Sequence, residues 1–379
     1  MTMTRSHPLV SLCLIVRNEA RFIAETLDSI AHQTLADFEV QIFDNASDDA
    51  TPEICARYLQ DPRFQYFRNA ANIGMVANMN RCHAVARGEY VCLLSGNDVL
   101  AETYLEKLVG VAESDPAIGL VAARLKVIRE SSELLPASKW VAPVYFETDP
   151  EDPVVAGTTV VRHWRYPNYI FGVYRRSVLD RLQPLRYFYG ADGAFVFELS
   201  LYARIRVYPE ELFFLRKQGG DQVKRVQSGF SEDSVFGVSP SGPFTHFDLV
   251  APYVDLTWCY LETASYARIP ELAKARLFRS VLAVQRAKWR GRIDEEVAAL
   301  KEKTPETLRI LRSRPDSTTY RALVHRLLNR LGRAAVVVPE DAALSALIEE
   351  TSRFLRPQWL GAASAAGHDA APQDAGGSA

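Results

Sequence analysis

Along the first 130 residues apolar runs alternate with stretches of helical spacing. Val10–Val16 is a continuous apolar run, as expected for a strand buried on both faces, and Ala20–His32 repeats Phe22, Ile23, Leu27 and Ile30 at the spacing of one helix face. Phe38–Phe43 reads as a second strand, and Thr51-Pro52 opens a helix containing Ile54, Tyr58 and Leu59, proline being tolerated in a first helical turn. Phe64–Phe67 is a third strand, Met75–Arg87 a helix stopped by Gly88, and Tyr90–Leu94 a fourth, wholly apolar strand. Strands separated by helices of this length predict βαβ units and a Rossmann-like α/β architecture, a mostly parallel sheet with helices on both faces. Ligands of such sheets sit at the carboxyl ends of the strands. Those ends carry the polar clusters Arg17-Asn18-Glu19, Asp44–Asp49, Arg68-Asn69 and Ser95–Asp98.

From Glu130 to Pro167 the periodicity fades and prolines punctuate the chain, the pattern of a functional or mobile loop. Order returns with Ile170–Leu182, a helix over Tyr189–Ala203 and a strand over Ile205–Leu215. Beyond Phe236 only helices are expected: Leu256–Tyr266, Pro270–Arg290, Asp294–Lys301, Thr304–Ser313, Tyr320–Leu331 and Ala342–Leu355. The residues from Gly361 onward are mostly Ala, Gly, Ser and Pro, a composition that cannot build a core. The expected division is an α/β domain over 1–235, a helical module over 236–360 and a disordered tail over 361–379. No internal repeat interrupts it.

Composition narrows the function classes. With 379 residues, 48% hydrophobic, 24% charged and a formal charge of −2, the chain is globular and not a uniformly basic nucleic-acid binder. Its five cysteines are widely spaced with no C-x-x-C pair, which predicts reduced thiols in the cytoplasm and neither a disulfide frame nor a zinc site. The near-neutral total conceals a contrast. Residues 268–333 hold 17 basic and 7 acidic side chains, a balance of +10 that leaves about −12 for the remainder. Arg5 and His7 ahead of Leu9–Val16 imitate a signal peptide, but the run ends in Arg17-Asn18-Glu19 without a small-residue cleavage site. No apolar stretch reaches the roughly 18 residues that span a bilayer.

Val10-Ser-Leu-Cys-Leu-Ile-Val-Arg-Asn-Glu, the helix end Thr26–Ile30, and Phe43-Asp44-Asn45-Ala46-Ser47-Asp48-Asp49 resemble family 2 glycosyltransferases of the GT-A fold. Asn72-Ile-Gly74 with Ala77-Asn78, Ala86–Tyr90 and Ser95-Gly96-Asn97-Asp98 continue the likeness, which extends to about Gly220. The resemblance implies an inverting, non-processive enzyme that moves a sugar from a nucleoside diphosphate, with UDP as the expected carrier, to a hydroxyl of a saccharide or lipid-linked acceptor. It implies that Asp44 accepts from a uracil imide, that Arg68 approaches base or phosphate, and that Asp98 reaches ribose and metal. Arg17, Glu19, Asn45, Asn72, Asn78 and Asn97 complete the expected donor site. Arg216 and Lys217 stand where relatives place a basic residue over the diphosphate, with Gln218 in place of their histidine. For Asp44-Asn45 taken alone, a turn or helix cap is the competing role.

The strand-four motif departs from the family pattern. Relatives carry two aspartates there; here Asp98 matches the last, and Gly96 or Asn97 replaces the other. A Mg²⁺ or Mn²⁺ ion held by the diphosphate and Asp98 is the implied cofactor, at reduced affinity because one formal charge is missing. Asp192 in Gly190-Ala191-Asp192-Gly193 matches the family's catalytic base, and the adjoining glycines suit close approach of a substrate; capping the next helix is its other role. Trp164, Tyr166 and Asn168 are candidates for acceptor contact, equally readable as packing. Gln285-Arg-Ala-Lys288-Trp289 imitates a motif of processive synthases but reads as amphipathic helix surface.

Two other functions fit less of the chain. A non-catalytic GT-A scaffold is motivated by Gly96, Asn97 and Gln218. A sugar-1-phosphate nucleotidyltransferase would need a glycine-rich loop where Arg17-Asn18-Glu19 stands. In Tyr320–Leu331 an apolar face opposes Arg321, Arg326 and Arg330. It suits packing on the protein itself, a homodimer, or a peripheral contact with the inner face of the cell membrane.

Overall fold

The structure is a computed structural model describing residues 7–136, 144–164, 167–185, 191–217, 252–312 and 318–353. The domain boundary expected at 235/236, the expected tail 361–379, Tyr166, Gly190 and Gln218 lie outside the described residues. Contacts divide the chain into two compact units. Of the described residues, those up to 217 together with Cys259–Gln285 belong to the first; 252–258, 286–312 and 318–353 belong to the second.

The first unit is built on an eight-stranded sheet. Strands β1 (Val10–Val16), β2 (Phe38–Asp44), β3 (Phe64–Arg68) and β4 (Tyr90–Ser95) are separated by helices α1 (Ile23–Ala31), α2 (Thr51–Ala56) and α3 (Met75–Val85). There follow β5 (Val99–Leu100), α4 (Tyr104–Ser114), β6 (Ile118–Ile128), α5 (Pro153–His163), β7 (Val173–Arg175), α6 (Arg176–Leu179), α7 (Ala191–Ser200) and β8 (Arg204–Arg216). The sheet order is β3-β2-β1-β4-β7-β6-β8-β5. β1 runs parallel to β2 and β4, and β2 to β3, with Val16 opposite Asp44 and Asp44 opposite Arg68. β7 is antiparallel to β4 and β6, while β6 and β8 are parallel. The expected α/β architecture of GT-A type, a mostly parallel sheet followed by helices, is present.

Alternation of side chains explains the layering. Val10, Leu12, Leu14 and Val16 of β1, Val40 and Ile42 of β2, and Cys92 and Leu94 of β4 form a core with Ile23, Leu27 and Ile30 of α1 and Leu105 and Leu108 of α4. The opposite face near the start of the strands is polar but satisfied. Buried Glu39 accepts from Ser11 Oγ (2.7 Å), Gln41 Nε2 (3.2 Å), Gln65 Nε2 (3.3 Å) and Arg87 Nη2 (2.7 Å). A buried carboxylate is tolerable only with such partners. All five cysteines are free and buried.

Two elements differ from the sequence expectation. The proline-rich stretch contains α5, which Pro153 starts and Asp152 caps by accepting from the N–H groups of Val154 (3.0 Å) and Val155 (3.1 Å). Its apolar positions are too few to announce a helix by periodicity.

The other difference is in the C-terminal region, which contains α8 (Pro252–Tyr266), α9 (Glu271–Arg312), α10 (Thr318–Val337) and α11 (Ala342–Arg353). Three expected helices are one element, α9, interrupted only by a kink at Trp289 (φ −124°, ψ 18°), and Pro305 does not end it. Gln285, expected on the surface, is buried at 1% exposure, and Trp289 packs against Tyr253 with ring centroids 4.7 Å apart. In α10, Val324, Leu327, Leu331, Ala334 and Val337 are buried, so its apolar face is occupied by packing. No helix among the described residues is long and apolar enough to cross a membrane.

Candidate active site

The loops after β1 and β2 are laced together. Arg17 Nη1 donates to the carbonyls of Asn45 (2.8 Å) and Ala46 (3.1 Å), while the N–H groups of Asn18, Glu19 and Ala20 donate to Ser47 Oγ (2.9 Å), Thr51 Oγ1 (2.8 Å) and Asp49 Oδ2 (3.0 Å). Ala46 adopts a left-handed backbone (φ 58°), costly for a residue with a Cβ and sustained by this lacing. The short polar side chains thus serve as local acceptors, and the two strand ends act as one platform.

Asp44 is wholly buried at the end of β2. Its Oδ1 accepts from the Ser47 N–H (2.9 Å) and hydroxyl (2.5 Å), and its Oδ2 from the Tyr66 hydroxyl (2.5 Å), with Arg68 Nε 3.7 Å away. Burial, then the Asp44 carboxylate, push the Tyr66 phenol above its ordinary value. Beside it lies a chain of amides. Asn45 Nδ2 donates to Asn72 Oδ1 (2.6 Å), Asn69 Nδ2 to both Asn45 Oδ1 and Asn78 Oδ1 (3.0 Å each), and Asn78 Nδ2 to the Phe43 carbonyl (2.9 Å). Arg81 closes it on Asn69 Oδ1. Arg17, Asp44, Asn45, Arg68, Asn72 and Asn78 are therefore gathered at one end of the parallel strands. Sequence reading passed over Tyr66 and Arg81, and named Ser47 and Asn69 only within strand-end clusters, without a role. Tyr66 had a signal, since it lies two residues before Arg68 and so shares its face of β3.

The β4 turn is closed rather than open. Ser95 Oγ donates to Asn97 Oδ1 (2.6 Å), and Asp98, 2% exposed, accepts the Arg216 N–H on Oδ1 (2.8 Å). A Cβ at Gly96 would lie 2.7 Å from Val16 Cγ1 and 3.2 Å from Glu19 Cγ, so an aspartate there requires the loop to shift. Glu19 is thus placed against this turn by its stem.

Arg216 does not present its guanidinium to a ligand. Its side chain is 0% exposed, with Nε on the Asn97 carbonyl (2.8 Å), Nη1 on the Arg129 carbonyl (3.0 Å) and Ser132 Oγ (2.9 Å), and Nη2 on Glu25 Oε2 (2.6 Å). Lys217, the next residue, is exposed, its N–H fixed to the Ile128 carbonyl (2.9 Å).

Burial pushes the Asp98 carboxyl up to about 7, opposed by the Arg216 N–H and charge. An unfolded aspartate titrates near 4. Between roughly pH 4 and 7 the unfolded chain therefore holds fewer protons at this site, and its contribution to stability is lost as pH rises through about 7. Asp98→Asn keeps an acceptor for the Arg216 N–H, so it is expected to flatten that slope and to be at least as stable as wild type at pH 8. Urea denaturation at pH 5 and 8 checks this; an unchanged slope contradicts it.

The residues of the β4 turn do not fit the implied divalent ion. A Mg²⁺ ion takes six oxygens in near-octahedral geometry, held by one or two free carboxylates together with substrate phosphates and waters. The turn offers one buried carboxyl already bonded to an N–H, an amide oxygen already bonded to a hydroxyl, and a guanidinium beneath them. Among the described residues no group of three or more His, Cys, Asp or Glu is placed to hold a metal.

Asp192 lies in the first turn of α7. Burial raises its carboxyl above the ordinary range, against the N–H groups of Gly193 and of Asp192 itself, which lower it. A Cβ at Gly193 would stand 2.6 Å from the Tyr260 hydroxyl and 2.9 Å from Trp164 Nε1. That glycine is thus required by packing, and not, as expected from sequence, by the approach of a substrate. Trp164 is buried at 9% exposure, 6.0 Å from the Tyr169 ring, so its indole supports α7; Asn168 lies in the short turn Pro167–Phe171. Tyr260, on α8, packs edge-on against Phe197 at 5.2 Å. His83, on α3, stacks on Phe195 at 5.7 Å, and burial lowers its imidazole to about 4. The helix that starts at the asparagine chain thus ends against the helix that carries Asp192.

The sequence profile described as Glycosyl transferase family 2 matches residues 11–179. An uncharacterized glycosyltransferase of Nostoc sp. is 23% identical over 289 residues, covering 74% of this chain and 84% of its own. Another, of Methanocaldococcus jannaschii, is 31% identical over 131 residues; the match covers 34% of this chain and 45% of that protein, less than half its length. Among solved structures, S. aureus TarS 1–349 aligns over 94% of this chain and 90% of that one, with a TM-score of 0.54 at 15% identity. Its complex with UDP-GlcNAc aligns over 94% and 91%, with a TM-score of 0.55 at 14% identity. Identities this low speak for the fold. With the sheet, the strand-end clusters and the profile match in agreement, residues 11–179 are identified as a family 2 glycosyltransferase domain.

Proposed function

We propose that the chain transfers a sugar, with inversion, from a UDP-sugar to a hydroxyl of a saccharide or lipid-linked acceptor. The observation that carries this reading is the pairing of two sites on one frame: a polar nucleotide platform around Asp44 and a buried, raised carboxyl at Asp192, linked through α3. An ionised carboxylate offers about four lone-pair directions. Ser47 and Tyr66 take three at Asp44; because that carboxylate is wholly buried, a uracil imide N–H reaches the fourth only when Tyr66 or Arg68 moves aside. Arg68 and the Asn45–Asn72 pair flank the base and ribose, and Arg17 and Lys217 face the diphosphate. TarS, which shares the fold, has been solved with UDP-GlcNAc, and this supports a uridine carrier.

In the chemical step the acceptor O–H gives its proton to the Asp192 carboxylate as its oxygen bonds to the anomeric carbon. The bond from that carbon to the diphosphate breaks on the opposite face, and UDP leaves with the electron pair. A carboxylate whose charged form burial disfavours is a stronger base than an exposed aspartate.

Calorimetric titration of UDP-GlcNAc, UDP-glucose, UDP-galactose and GDP-mannose tests the reading. One UDP-sugar is expected to bind with a Kd of roughly 10–100 μM, within the usual range for enzyme substrates, and GDP-mannose roughly tenfold more weakly because its base lacks the uracil imide geometry. Binding of none of the four would sink it.

A further inference from the structure

We propose that this chain meets the charge of its diphosphate with its own lysine, Lys217, and not with a divalent cation held by the protein. The inference rests on the sugar-nucleotide reading and deepens it at the phosphate subsite.

Three of the oxygens that the β4 turn could offer a cation already accept hydrogen bonds. The Asn97 amide oxygen accepts the Ser95 hydroxyl, the Asn97 carbonyl accepts Arg216 Nε, and Asp98 Oδ1 accepts the Arg216 N–H. The position that could restore a second carboxylate without lengthening the turn, Gly96, is closed by Val16 and Glu19. The Arg216 guanidinium, wholly buried, fixes a positive charge directly beneath the turn, where it repels a second cation.

The same contacts that exclude the ion place its substitute. Because the Arg216 N–H is bonded to Asp98 and the Lys217 N–H to Ile128, the backbone of Lys217 is fixed one residue beyond the contact with the turn, and the residue itself is exposed. A lysine is a compact point charge able to follow phosphate oxygens without fixed geometry. It needs no bridging metal to do so.

The experiment is calorimetry of the full chain with UDP, once in buffer containing EDTA and once with Mn²⁺, together with uridine as a ligand lacking phosphate. The Kd for UDP is expected to agree within about threefold between the two buffers, a difference below 1 kcal/mol. Lys217→Ala should weaken UDP roughly tenfold in both, the worth of a hydrogen bond to a charged group, and leave uridine unchanged. UDP binding that tightens tenfold or more with Mn²⁺, or a Lys217→Ala variant that binds UDP as wild type does, overturns the proposal while leaving the sugar-nucleotide reading intact. Absence of UDP binding in both buffers removes that reading, and this inference with it.

Discussion

Asp192→Asn is expected to slow sugar transfer by ~10²- to 10⁴-fold, the usual contribution of a positioned general base, while the Kd for the donor stays within about twofold. The substitution separates the two roles that Asp192 can play. Asp192 stands inside the first turn of α7 and not at its cap, and the amide oxygen of asparagine can accept the Gly193 N–H that the carboxylate accepts now. Folding should therefore survive. What asparagine cannot do is take the acceptor proton. In the wild type the rate should rise with pH through an apparent pKa above that of an ordinary aspartate, because burial disfavours the charged form. That rise should be absent in the variant. Equal loss of donor binding and transfer, measured by calorimetry and product release, would show instead that Asp192 builds the donor site.

Arg216→Met is expected to destabilise the first unit by about 3 kcal/mol, in the range for removing one partner of a buried ionic network. Methionine fills the aliphatic volume of the arginine but strands the carbonyls of Asn97 and Arg129 and the hydroxyl of Ser132, each losing a charge-assisted bond. It also removes the cation 4.9 Å above the Phe22 ring. Glu25→Gln, at the half-exposed end of the same network, should cost under about 1 kcal/mol because water replaces the lost charge. Urea denaturation of the three proteins measures the order. An Arg216→Met variant as stable as wild type, yet unable to bind UDP, would mean that Arg216 reaches the diphosphate directly.

The contrast between Arg216 and Lys217 illustrates where sequence reading stops. Both residues are basic, adjacent and at a strand end, so the sequence assigns them one electrostatic role. In a strand, neighbouring side chains point to opposite sides, and the fold sends one inward to tie two loops to α1 and leaves the other at the surface. The same reasoning covers Trp164, whose aromatic character suited a sugar platform but whose indole is buried beneath α7. The α5 helix was missed because proline at its start and few apolar positions gave no periodic signal. The break placed between Arg290 and Asp294 fell close to the real kink at Trp289, while Pro305 proved compatible with a continued helix.

From its sequence alone the chain determined its parallel core, because continuous apolar runs alternating with helical periods have few other solutions. It also determined that Asp44, Arg68 and Asp98 would lie along one end, since strand ends in such a sheet face the same way. The near-neutral net charge likewise resolved by counting into an acidic part and a basic helical stretch. Only the tertiary structure decided which polar groups remain available to a ligand. Hydrogen-bond partners come from residues far apart in the chain, as Glu25 and Arg216 are, and no local pattern records them. The closed turn at Ser95–Asp98, the glycine demanded by Tyr260 and the buried carboxyl of Asp192 are consequences of that long-range packing.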